Sequence, residues 1–142
     1  GTNKTPVAGT IYISDIYVVR NTTLTGIGLL NGSTAGGANT VIYALYNAQG
    51  KLIANTELAG TSTSGANAFQ QIAFTSAINV DAGKYFIAVQ RNGATDTLRT
   101  VAANTFVDVV STSVAGVFGT IPSSITVPTS FSADDGPIAY VY

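Results

Sequence analysis

The chain has no cysteine, histidine, methionine or tryptophan. Without cysteine there is no disulfide framework and no thiolate-bound metal. Without histidine as well, a zinc site loses its usual ligands, and Ser or Cys nucleophiles lose the base that activates them. A Ser–Lys pair is the remaining nucleophilic option, and no Ser-x-x-Lys stands in the sequence. Charge is the next scarcity. Asp, Glu, Lys and Arg make up 9% of the 142 residues, against about 25% in an ordinary domain. The basic residues, Lys4, Arg20, Lys51, Lys84, Arg91 and Arg99, are dispersed, and the formal net charge is −1. Nucleic acid, whose binding depends on neutralising phosphates, is not an expected partner. No apolar run approaches the roughly 18 residues of a membrane-spanning helix, so membrane insertion is not expected. The opening Gly1-Thr2-Asn3-Lys4-Thr5-Pro6 lacks the apolar centre of a signal peptide and lacks Met. It is the start expected of a processed chain, a piece of a longer one, or a cloning remnant.

What is present is apolar and short-ranged. Hydrophobic residues make up 46% of the chain, in alternating runs separated by Gly, Asn and Ser. Ile11 to Val19 is rich in β-branched and aromatic residues and reads as a strand, kinked near Asp15. Leu24 to Leu30 is a second, with Gly26 and Gly28 marking a bulge or a close backbone approach. Asn31 to Asn39 is a loop by composition. Thr40 to Tyr46 sets Val41, Tyr43 and Leu45 on one face and Ile42, Ala44 and Tyr46 on the other. Asn47 to Gly50 is a hairpin turn leading into Lys51 to Ala54. Phe69 to Phe74 alternates, and Lys84 to Gln90 is the strongest buried strand. Asn92-Gly93 signals a tight turn after which Thr97 to Val101 pairs back. Thr105 to Val110 reads as a strand or a short helix. Val114 to Pro128 has Gly and Pro too close together for a long strand, and is expected to be an excursion that packs through Val117, Phe118, Ile121, Ile125 and Phe131. Ile138 to Tyr142 closes the chain. No helical period is sustained. Strands at this spacing predict an all-β, antiparallel β-sandwich, jelly-roll-like, as a single domain over residues 10–142 with an extended N-terminal arm over residues 1–9.

Few residues offer chemistry. Asp134 and Asp135 are the only adjacent carboxylates. Neighbours on an extended chain point apart, which makes them a poor acid–base pair, and a solvated turn before Gly136-Pro137 is the expected role. A calcium site using one of them with backbone carbonyls is the lesser alternative. Asp81 and Asp96 flank turns and read the same way. The glycine-rich Asn31 to Asn39 loop has no Lys-Ser or Lys-Thr after it and is not a phosphate cradle. Sequons at Asn3, Asn21 and Asn31 fit chance in a chain so rich in Asn and Thr. The seven tyrosines are expected to be core or sheet-rim residues, with stacking platforms for sugars and buried interface contacts as alternatives. No cofactor and no enzymatic activity are expected.

Four segments carry a resemblance: Thr25-Gly26-Ile27-Gly28-Leu29-Leu30-Asn31-Gly32, Val41-Ile42-Tyr43-Ala44-Leu45-Tyr46-Asn47, Gly83-Lys84-Tyr85-Phe86-Ile87-Ala88-Val89-Gln90 and Gly136-Pro137-Ile138-Ala139-Tyr140-Val141-Tyr142. In texture and order they resemble virion surface proteins of tailed bacteriophages. The resemblance implies a jelly-roll module on the outside of a particle, as capsid decoration or cement or as part of a fibre. The strand–turn–strand texture also looks like carbohydrate-binding sandwich modules. The first reading implies a homo-oligomer that binds a major capsid protein; the second implies a glycan ligand and an extracellular setting. A nearly uncharged surface favours association. The candidate contact residues are Pro6 and Val7 in the arm, Val117, Phe118, Ile121 and Phe131 in the excursion, and Tyr140 and Tyr142 near the closing strand.

Overall fold

A computed structural model describes residues 1–103 and 108–142. Eleven strands are formed among them and no helix: β1 (Thr2–Lys4), β2 (Ile11–Val18), β3 (Thr22–Leu30), β4 (Thr40–Asn47), β5 (Leu52–Asn55), β6 (Thr61–Ser62), β7 (Phe69–Val80), β8 (Gly83–Arg91), β9 (Leu98–Thr100), β10 (Ser111–Val114) and β11 (Ala139–Val141). Every strand pairing is antiparallel. The main sheet runs β10-β2-β8-β4-β5, with β6 also paired to β4; the second runs β11-β3-β7; β1 and β9 form a two-stranded ribbon. The pairs β2–β8, β3–β7 and β4–β6 are nested one inside the next. That nesting is the winding of a jelly roll, in which a long hairpin is rolled into two facing sheets. The expected all-β, antiparallel sandwich is the fold.

Strand alternation divides the main sheet into two apolar faces. Val41, Tyr43, Leu45, Ile87 and Val89 point inward and meet Leu24, Ile27, Leu29, Ile72 and Phe74 of the second sheet. Ile11, Ile13, Ala44, Tyr46, Phe86 and Ala88 point outward, and they too are buried. Leaving such side chains in water would cost roughly 1.5–3 kcal/mol for each large one. The segment after β10 removes that cost. Ile121, Ile125 and Val127 pack on the outward face, and Tyr46 donates its phenol hydrogen to the Pro122 carbonyl at 2.9 Å. Burial pushes the Tyr46 phenol up to about 12. The molecule is therefore three layers deep over the main sheet, and β4 is buried on both faces because each has its own cover.

Several expectations change in detail. β2 runs unbroken through Asp15, which sits in register opposite Phe86. β7 continues past Phe74 to Val80. The Asn47–Gly50 turn closes as expected, with Asn47 N–H donating to Lys51 O at 2.9 Å and Gly50 at φ 77°. Asn92-Gly93 does not join a hairpin: β9 pairs with β1, not with β8. The reason is the buried Asp96 in the connecting loop, whose partners lie elsewhere. Of the Thr105 to Val110 stretch, residues 105–107 lie outside the described residues, and residues 108–110 are irregular before β10 starts at Ser111. The first nine residues lie against the body rather than apart from it. Thr2–Lys4 pair with Leu98–Thr100, and Gly9 N–H donates to Arg91 O at 2.8 Å.

The covering layer is fastened by one side chain. Gln90 is fully buried on the outward face of β8. Its amide donates to Gly9 O at 2.8 Å and Val117 O at 3.0 Å, and its Oε1 accepts from Gly119 N–H at 3.2 Å. Gln90→Leu keeps the volume and leaves three backbone groups without this partner, those of buried Gly9, half-buried Gly119 and the more exposed Val117. The expected result is a loss of about 2–4 kcal/mol in urea unfolding, with faster amide exchange at Gly119 than at the β4 amides. An unchanged midpoint would show that the cover is held by apolar contact alone.

Candidate functional site

The adjacent carboxylates Asp134 and Asp135 both have partners. Asp135 accepts from Ser113 Oγ at 3.0 Å and pairs with Lys4 Nζ at 3.2 Å. Asp134 accepts from the Thr2 hydroxyl. The adjacent pair lies in a turn, as the sequence suggested, but half-buried, and from there it clasps the first strand. Asp96 departs further from expectation, being almost inaccessible. Its Oδ1 accepts from Gly36 N–H at 3.1 Å, and its Oδ2 from Asn39 N–H at 2.8 Å and from the Thr63 hydroxyl. Burial alone would raise its pKa, but the donations from Thr63, Asn39 and Gly36, with the field of Arg91, hold the carboxyl below its ordinary value. Every oxygen is committed to holding the 36–39 loop. Asp15 forms an ion pair with Lys84 at 3.0 Å and accepts from Val110 N–H at 3.1 Å. Among the described residues no three His, Cys, Asp or Glu side chains are placed to hold a metal.

Arg91, read in the sequence as one of several dispersed cations, is fully buried inside the sandwich. It donates to Asn31 Oδ1 at 2.6 Å and to Thr97 O at 3.0 Å. Beside it the buried Tyr43 phenol is raised above its ordinary range by burial. These groups are enclosed, and their work is to tie the Asn31–Asn39 and Asn92–Thr97 loops to the end of β8.

Besides the exposed Tyr17, Val19 and Leu58, apolar and aromatic side chains reach the surface in two groups on opposite sides of the molecule. The first is the covered side of the main sheet. Val7 is 63% and Val117 72% exposed, and Val114, on the same segment as Val117, is exposed too. The arm and the excursion meet at Gly9, whose positive φ of 76° and closeness to Gly116 leave no space for a side chain. Below the excursion is a cavity of about 490 Å³, floored by Ile11 and Ile13 and walled by Val114, Val117, Pro122 and Ile125. Of the expected contact residues in these segments, Pro6 is buried and Val7 exposed. Phe118 is turned down onto Gly60 and Thr40, Ile121 packs into the cover, and Phe131 is half-buried.

The second place is the outer face of the β11-β3-β7 sheet. Tyr140 sits opposite Gly28 in register, and its ring occupies the space a Cβ at Gly28 would need. Tyr142 does the same over Gly26, where the register shifts by a bulge. The glycines signalled this close approach; the tyrosines that fill it were not assigned to them. Phe69, 50% exposed, meets Tyr140 edge-on with ring centroids 5.1 Å apart, and Tyr142 follows at 6.3 Å. Gln71 donates to the Tyr140 hydroxyl at 2.8 Å. Phe69 and Gln71 were missed as surface residues because alternation shows which side chains share a face, not which face meets the core.

No family model matches the chain, and no curated protein or solved structure matches it either.

The Asp96 strut has a pH signature. A carboxyl held below its ordinary 3.8 stabilises the fold above that value, and the contribution is lost as pH falls through the lower folded value. Unfolding free energy is expected to drop below about pH 4, and the drop to be smaller in Asp96→Asn. Identical acid limbs in the two proteins would remove Asp96 from this role.

Proposed function

We propose that this chain is a non-enzymatic structural module of the outer surface of a bacteriophage particle, a decoration or cement protein that associates with itself and binds the capsid shell. One observation carries the attachment: exposed Val114 and Val117 line an apolar cavity, and Val7 is exposed on the arm that meets the same excursion at Gly9, on a chain with very little charge. An apolar area rimmed by hydroxyls is what a protein interface core needs, since burying it costs little desolvation. The nested antiparallel winding suits a load-bearing part, with both faces of the main sheet closed. The bacteriophage setting itself rests on the resemblance of the four sequence segments.

An antiserum against the chain tests the setting. The expected outcome is labelling on the outside of intact particles from the same source; antigen found only free of particles would sink the proposal. Attachment is tested by sedimentation of the chain with shells that lack it. Val117→Asp is expected to weaken co-sedimentation about tenfold or more, the cost of one buried unpaired charge or a lost hot-spot contact. Raising salt from about 0.1 M to about 1 M is expected to change it little, because ion pairs contribute little to such a contact. Steep salt dependence would argue for an electrostatic partner instead.

A further inference from the structure

We propose that the outer face of the β11-β3-β7 sheet is a binding track for an extended, neutral polysaccharide chain, a role separate from attachment to a particle. The strands Thr22–Leu30, Phe69–Val80 and Ala139–Val141 contain no Asp, Glu, Lys or Arg. A charged ligand would lose hydration on this surface with nothing to repay it; a neutral one would not. Phe69, Tyr140 and Tyr142 form a row of aromatic rings across the strands. The C–H faces of a pyranose stack on such rings, while its hydroxyls need amides and hydroxyls at the ring margins. Gln71 meets that need beside Tyr140. Its Nε2 is engaged by the phenol oxygen, which leaves Oε1 and the phenol proton for a ligand. The two tyrosine rings are also preorganised, because Gly26 and Gly28 let them lie down on the backbone, and little of their side-chain freedom remains to be lost on binding.

The row does not end on a flat surface. Beyond Tyr142 a cavity of about 270 Å³ lies between that residue, Tyr17 and the β2–β3 turn. It shares Thr22 and Thr23 with a second cavity of about 370 Å³ that includes Asn21, Asn79 and Asp81. Tyr17 is 60% exposed. A second copy of the chain could cover the sheet face, but it would make no use of this polar, concave continuation. The groove is lined by hydroxyls and amides with one charge of each sign, Arg20 and Asp81; stacking rings leading into it suit a ligand that is long, hydroxylated and without net charge.

Native electrophoresis of the intact chain through gels containing soluble polysaccharides tests the track. The probes are a mixed-linkage β-glucan, a xylan, a galactomannan and an α-glucan, with anionic polygalacturonate as the counter-probe. Retardation by at least one neutral polymer, and none by polygalacturonate, is expected. Phe69→Ala and Gln71→Ala, both at exposed positions, are each expected to weaken that retardation about tenfold. Val117→Asp, on the opposite side, should leave it unchanged, and circular dichroism confirms that each variant is folded. The proposal is overturned if no neutral polymer retards the chain, if only polygalacturonate does, or if the Phe69 and Gln71 variants are retarded as strongly as the parent. It is also overturned if retardation is absent and the chain forms a dimer that Phe69→Ala dissolves, because the face then belongs to a second copy.

Discussion

Two adjacent residues at the end of β8 hold most of this structure in place. Gln90 and Arg91 point to opposite faces of the main sheet, as successive strand residues must, and both are fully buried. Gln90 ties the arm at Gly9 and the excursion at Val117 and Gly119 to the outward face. Arg91 ties Asn31 and Thr97 together on the inward face. A buried amide or guanidinium left without partners would cost more than the bonds themselves contribute. The segments that meet these side chains are therefore constrained to the few positions that satisfy them. The loops and the cover, which have little regular structure of their own, inherit their geometry from one strand end.

That arrangement separates stability from surface function. The few charged groups with close partners are spent on fastening: Asp96 on the 36–39 loop, Asp135 and Lys4 on the first strand, Asp15 and Lys84 on the flank of the main sheet. Little charge is left to steer a partner. Recognition falls to shape and to apolar and aromatic area, and the two surfaces rich in those lie on opposite sides of the sandwich. The proposed role on a particle would need one side turned to its support and the other turned outward.

Much of the fold was legible in the chain. The strand at Thr40 to Tyr46 and the division of its side chains between two faces followed from alternation, and the hairpin at Asn47–Gly50 followed from its turn residues. Gly26 and Gly28 announced a close approach. The pairing of β9 with β1 was not legible, since a three-residue strand carries too little pattern to name its partner. Nor was the burial of Asp96 and Arg91, because a lone charged residue beside a turn looks the same whether it faces water or a shell of backbone donors. The aromatic row was hidden for a related reason: Phe69, Tyr140 and Tyr142 are far apart in sequence and meet only through the register of β11 and β7 on β3.

By itself the sequence determined the class of the molecule. An all-β sandwich follows from period-two alternation and turn residues, which are local, and the exclusion of thiol, imidazole and phosphate-cradle chemistry follows from residues that are missing. Only the tertiary structure decided which alternating face became the core, which polar side chains were enclosed as fasteners, and which aromatics were left outside. Those outcomes depend on contacts between residues tens of positions apart, and a surplus of apolar surface must choose its cover in three dimensions.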